Sequence, residues 1–259
     1  MSNKNPIGLF DSGIGGTSIW KEIHSLLPFE NTIYLADSKN APYGVKLKEE
    51  IIELSIKNTE FLLNKNCKLI VVACNTATTN AIKELRNKYT VPFIGIEPAI
   101  KPAANKTSTH TIGILATKGT LNSELFHKNV ENFSGVKIIE QIGHGLVQLI
   151  ENGDINSDEM TLLLESYIKP MLEQNIDHLV LGCSHYPYLI PQIKKIIPPY
   201  VKIIDSGEAV AKQTEYILNK YNLNNNSTEK SYQHFYTNSD SKVLKGILNN
   251  NYSVFEKDF

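Results

Sequence analysis

Two cysteines occupy matched frames, Val71-Val72-Ala73-Cys74-Asn75-Thr76 and Val180-Leu181-Gly182-Cys183-Ser184-His185. Each follows an apolar run of β type and opens a polar turn that can start a helix. A thiol at the C-terminal end of a buried parallel strand sits where open α/β sheets take ligands, and the next helix start offers free N–H groups that favour a thiolate. Two such thiols facing one ligand form a two-sided acid/base device. A lone cysteine closing an apolar run is ordinarily an inert core residue, and Cys67, ahead of Lys68 and the run 69–73, is given that role. Recurrence of one frame with hydrogen-bonding neighbours sets Cys74 and Cys183 apart.

The other run ends carry similar polar residues: Asp11-Ser12-Gly13, Asp205-Ser206-Gly207 and, more weakly, Asp37-Ser38. Ser, Asn, Thr and Asp are preferred helix caps and Gly permits a tight turn, which suffices for Asp205-Ser206-Gly207. The same residues can converge hydroxyls, amides and N–H groups on an anion. Residues 11–16, DSGIGG, resemble a phosphate cradle, but the lysine of a nucleotide-binding loop is missing. Arg86 is the only arginine, so bidentate guanidinium clamps on a carboxylate are nearly absent. A small carboxylate must then be held by N–H groups, hydroxyls and amides, to which a lysine could add, and Ser12, Tyr43, Asn75, Thr76, Thr117 and Ser184 are of the right type.

The elements that position these residues follow from periodicity. Short β-like runs at 7–10, 33–36, 69–73, 93–96, 111–116, 136–142, 178–182 and 201–204 alternate with helical patterns at 17–27, 47–64, 79–89, 158–174 and 208–221. That alternation predicts an α/β fold of parallel βαβ units. The chain crosses between halves near Glu97-Pro98; 222–227 reads as an exposed loop, and 232–236 and 241–248 as one more strand and helix. At 259 residues there is enough chain for one large or two medium domains. The formal charge of −1 points to neither nucleic acid nor an acidic membrane surface. The start lacks the apolar stretch of a signal peptide and no run approaches the roughly 20 residues of a membrane span, so a cytoplasmic location is expected. Three cysteines without a C-x-x-C pair argue against a disulfide framework or a zinc site.

Taken together, these residues resemble the bacterial glutamate racemases of the aspartate/glutamate racemase superfamily. The resemblance rests on DSGIGG at 11–16, ADSKNAPYG at 36–44, VVACNTAT at 71–78, GIEPA at 95–99, LATKGT at 115–120, LIENG at 149–153, GCSHYP at 182–187 and DSGEA at 205–209. It covers nearly the whole chain, and the cysteine motifs in this order and spacing are the specific part. It implies two similar parallel-sheet α/β domains related by a pseudo-twofold, 1–97 with 206–259 and 98–205, with the active site in the cleft between them. It implies catalytic roles for Cys74, Cys183, Asp11, His185 and Glu151. Substrate contacts are implied at Asp11, Ser12, Pro42, Tyr43, Gly44, Asn75, Thr76, Thr117, Ser184 and His185. The implied substrate is glutamate, with no cofactor, metal, nucleic acid or membrane partner, and a homodimer is compatible with the pattern.

The chain departs from the family at three places. Ser184 replaces the usual Thr and keeps the hydroxyl, and Asn40 stands where many members have Arg. Gly143-His144-Gly145 replaces a Cys-Pro-type segment ahead of Glu151, which leaves Glu151 the least secure assignment: a helix-surface carboxylate beside Asn152-Gly153 is the alternative, with His144 as substitute. Rival functions are an aspartate racemase of the same superfamily, thiol acyl transfer through Cys183 and His185, and a phosphate-binding module built on the glycine-rich turn.

Overall fold

The computed structural model describes residues 3–227 and 229–259; Met1 and Ser2, with which the reading of the chain start began, lie outside them. In chain order the elements are β1 (Ile7–Asp11), α1 (Thr17–Leu26), β2 (Thr32–Ala36), α2 (Lys48–Asn64), β3 (Leu69–Val72), α3 (Asn75–Lys88) and β4 (Phe93–Gly95). Then come α4 (Ile100–Lys106), β5 (Thr111–Ala116), α5 (Lys118–Leu121), α6 (Glu124–Glu131), β6 (Lys137–Ile142), α7 (Leu146–Asn152), α8 (Asp158–Glu173), β7 (His178–Gly182), α9 (Ile190–Ile196) and β8 (Lys202–Ile204). The chain finishes with α10 (Gly207–Lys220), β9 (Gln233–Thr237), α11 (Lys242–Ile247) and β10 (Ser253–Glu256).

Among the described residues the strands form two sheets, ordered β10-β9-β2-β1-β3-β4 and β6-β5-β7-β8, with every pairing parallel. The central strands β1, β3, β5 and β7 are buried along their whole length. This is why they read as continuous apolar runs rather than alternating ones: helices cover both faces of a parallel sheet.

The four-strand order β2-β1-β3-β4 of the first sheet recurs as β6-β5-β7-β8 in the second. In each, the strand order reverses between the first and third strands of the set, β1 and β3 or β5 and β7. The connections there leave on opposite sides, and a crevice opens at the carboxyl ends of those two strands. Asp11 ends β1 and Ser12 follows it, and Cys74 follows β3; Thr117 follows β5, and Cys183 follows β7. The two cysteines thus hold equivalent places in a repeated topology.

Three departures from the sequence reading have local causes. Helix α3 begins at Asn75, not 79, because Cys74 itself caps it, its Sγ accepting from Ala77 N at 3.4 Å. Strand β10, unforeseen in the sequence, is a mostly exposed edge of four residues with a weak apolar signal. Helices α4, α5, α6, α7 and α9 are four to eight residues long, too short for periodicity to register.

Candidate active site

The two crevices face each other across one small cavity. Its walls are Ser12, Pro42, Tyr43, Gly44, Cys74, Asn75, Thr76, Thr117, Val147, Cys183, Ser184 and His185. Every residue expected to touch substrate lies on it except Asp11, which sits immediately behind Ser184. The void measures about 10 Å³, room for roughly one water-sized sphere. No lysine lines it. The cations instead gather in a larger outer cleft of about 940 Å³ that shares Gly44 with the cavity and carries Lys46, Lys48, Lys83, Arg86, Lys118 and Lys128.

On the first-sheet side, Cys74 is almost fully buried, with its Sγ 3.7 Å from Ser12 Oγ. Burial pushes this thiol well up, and the nearby Asp11 and Cys183 act in the same direction; the Ala77 N–H and Ser12 hydroxyl oppose them and lose. The helix start lowers the Cys74 thiol through the Ala77 N–H, but burial outweighs it. Neighbouring hydroxyls are tied together: Thr76 Oγ1 and Thr117 Oγ1 lie 2.8 Å apart, and Thr117 donates to Thr120 Oγ1 at 3.0 Å. Tyr43 is fixed from behind by its hydrogen bond to Asp37 and by Asn58 Nδ2, 3.1 Å away. Asn75 is different. Its amide is buried, yet neither Nδ2 nor Oδ1 has a partner within the protein.

On the second-sheet side, Cys183 Sγ lies 3.8 Å from His185 Nδ1, and His185 Nε2 lies 2.6 Å from Glu151 Oε1. Burial disfavours a charged imidazole here, but Cys183, Glu151 and Asp11 outweigh it, and His185 is held well above the usual histidine range. Asp11 is completely buried, and that burial raises its carboxyl. Against this work His185, the Gly16 N–H and Ser184, while Glu151 adds to the rise. Asp11 Oδ2 accepts from Gly13 N and Gly16 N at 3.2 and 3.0 Å, and Oδ1 accepts from Ser184 Oγ at 3.0 Å.

These bonds correct the phosphate-cradle reading of residues 11–16. The N–H groups of Gly13 and Gly16 are spent on Asp11, and that of Ile14 donates to Glu151 Oε1 at 2.7 Å. The glycines serve close approach instead. A Cβ on Gly13 would stand 1.9 Å from Glu151 Oε1, and one on Gly15 2.2 Å from His185 Nδ1.

Glu151 comes from α7, a helix delimited by Gly145 and Gly153, both left-handed with φ of +79° and +86°. Its side chain turns inward to His185 instead of lying on the surface, whereas His144 is exposed and lends only its carbonyl, to Tyr167. Sequence reasoning missed Val147, an apolar wall of the cavity one helical turn before Glu151, and Ser38, whose Oγ donates to Glu151 Oε2 at 2.9 Å. Val147 carries no chemical signal that could have revealed it. Ser38 was visible only as a weak turn residue.

Two parallel α/β units thus present paired thiols at matched strand ends, and likeness to known proteins places such a chain among the amino-acid racemases. The family model for Asp/Glu/Hydantoin racemase matches residues 7–214, and the chain belongs to that family. It is 42% identical over 236 residues to a glutamate racemase of Herpetosiphon aurantiacus, covering 91% of this chain and 93% of that protein. The fold matches the crystal structure of a glutamate racemase isoform from Bacillus anthracis with a TM-score of 0.89 at 30% identity, over 99% of this chain and 98% of that one. It also matches the Escherichia coli glutamate racemase in complex with L-glutamate and the activator UDP-MurNAc-Ala, with a TM-score of 0.87 at 31% identity and 98% of both chains covered.

Proposed function

We propose that this protein interconverts L- and D-glutamate by two-base proton transfer, with Cys183 taking the α-proton of L-glutamate and Cys74 that of D-glutamate. The observation that carries the reading is that two thiols at equivalent strand ends line one cavity. Inverting a stereocentre by deprotonation needs a base on one face and an acid on the other, and cysteine titrates close enough to neutrality for either task. The raised Cys74 thiol suits the acid role when L-glutamate is deprotonated by Cys183. His185, kept cationic between Cys183 and Glu151, stabilises negative charge on that side, and Asp11 orients Ser184 and the substrate ammonium.

The α-proton of an amino acid is far less acidic than a thiol, so donors arranged in advance and exclusion of water must supply the rest. The unpartnered Asn75 amide and the Ser12 hydroxyl are the donors free to meet a carboxylate, whereas Ser184 gives its proton to Asp11. A void the size of one water cannot admit an amino acid, so the two sides must part for entry and close for reaction. The two sheets support a division into a domain of 1–97 with 206–259 and one of 98–205. The hydrogen bond from Ser206 Oγ to Glu97 O ties the exit and return of the chain.

A route free of pyridoxal phosphate and metal fits these residues, as does supply of D-glutamate for peptidoglycan in the cytoplasm. The test is circular dichroism of purified protein with L-glutamate or L-aspartate and no added cofactor. Racemisation of glutamate, abolished in Cys74→Ser and in Cys183→Ser, is expected. With β-chloro-glutamate, Cys74→Ser should still eliminate chloride from the L-isomer and Cys183→Ser from the D-isomer. Equal or greater turnover of aspartate transfers the assignment to an aspartate racemase, and racemisation by either variant near the wild-type rate overturns the two-thiol reading.

A further inference from the structure

Ser38 and Glu151 belong to opposite sides of the cleft. Ser38 follows β2 of the first sheet, whereas Glu151 rides on α7, between β6 and β7 of the second. The Glu151 carboxylate accepts from Ser38 Oγ at 2.9 Å on Oε2 and from Ile14 N at 2.7 Å on Oε1. Oε1 is also the atom 2.6 Å from His185 Nε2. Two of the three bonds that aim this carboxylate therefore come from first-sheet loops, and the third holds the imidazole beside Cys183.

We propose that Ser38 is a positioning residue of the reaction, locking Glu151 against His185 only when the cleft is closed, so that closure itself prepares the Cys183 side. The proposal rests on the racemase reading above. Parting the two sides pulls Ser38 and Ile14 away from Glu151. The carboxylate, 13% exposed even when closed, then turns to water and releases its aim on the imidazole. The other charged or titratable groups facing this pair are Asp11, whose Oδ2 lies 4.0 Å from His185 Nε2, the Cys183 thiol, and the hydroxyl of Tyr34, which donates to Gly13 O at 2.8 Å. None of these crosses to Glu151 Oε2, where Ser38 is the donor. On the far wall the hydrogen bonds of Cys74 run to Ser12 and Ala77, so the device acts on the Cys183 side.

That one-sidedness is measurable. Racemisation itself cannot report it, because its equilibrium constant of unity fixes kcat/KM in the two directions to each other. Elimination from β-chloro-glutamate can: one thiolate takes the α-proton, the electron pair forms the Cα–Cβ double bond and chloride leaves. Ser38→Ala is expected to slow elimination from the L-isomer about tenfold, the size of one hydrogen bond to a charged group, and to leave the D-isomer within about twofold. Ser38→Thr, which keeps the hydroxyl, should restore the L-isomer rate. If Ser38→Ala slows both isomers alike or neither, or if Ser38→Thr fails to rescue, the positioning role is wrong while the racemase reading stands. If the wild-type protein eliminates from neither isomer, the racemase reading fails and takes this proposal with it.

Discussion

His185 Nε2 and Glu151 Oε1 lie 2.6 Å apart, joining a residue just after β7 to one near the end of α7, with the imidazole fully buried. A folded pKa raised above the unfolded value of about 6.5 gives a definite sign. The stability that His185 contributes is complete below that value and is lost as pH rises through the folded one. Glu151→Gln removes one of the groups that raise it, so the His185 titration followed by NMR should move to lower pH. The alkaline loss of stability should begin earlier, and racemisation should fall by roughly ten- to a hundredfold. A His185 titration unchanged in Glu151→Gln would disprove the coupling.

The glycine-rich turn should tolerate no side chain at two positions. Gly13→Ala and Gly15→Ala place a methyl into Glu151 and His185, and each is expected to lose most activity while costing about 1–3 kcal/mol of stability. Gly246→Ala, in α11 with nothing within 4 Å of the added Cβ, should keep full activity and gain up to about 1 kcal/mol. Thermal melts and initial rates on the three variants decide between a steric role and a phosphate cradle, which would tolerate Gly15→Ala better.

Asn75 should trade stability for binding. Its buried amide lacks partners, and such a group carries a desolvation cost of about 1–3 kcal/mol. Asn75→Ala is expected to melt no lower than the wild type while raising KM for glutamate at least about tenfold. A clear drop in melting temperature with KM unchanged would make Asn75 a structural residue instead.

The outer cleft should draw an anionic substrate inward. Six cationic side chains line it against the carboxylates of Glu84, Glu97 and Glu124, in a chain whose formal charge is −1. Screening grows as the Debye length shrinks to about 3 Å at 1 M salt, so kcat/KM should fall with ionic strength, and Lys118→Glu should flatten that dependence. A salt-independent kcat/KM would remove the cleft from the account.

By itself the sequence determined the repeated α/β order, the strands that lead to Cys74 and Cys183, and the polar residues beside them. Buried parallel strands read as apolar runs, and caps and thiols follow them within one or two positions; these are local signals. It also marked Asp11 and His185 as polar residues at run ends, while Glu151 and the roles of all three came only through resemblance, since nothing in the spacing of residues 11, 151 and 185 requires them to meet. Tertiary structure alone decided that Glu151 turns inward to His185, that Gly13 and Gly15 exist to let those two side chains approach, and that Ser38 reaches across to the same carboxylate. It also decided that the Cys74 thiol is pushed up, because the cost of burying a thiolate depends on every group packed around it. A helix start can be read from three residues, whereas desolvation and a bond between residues 113 positions apart exist only once the two sheets face each other.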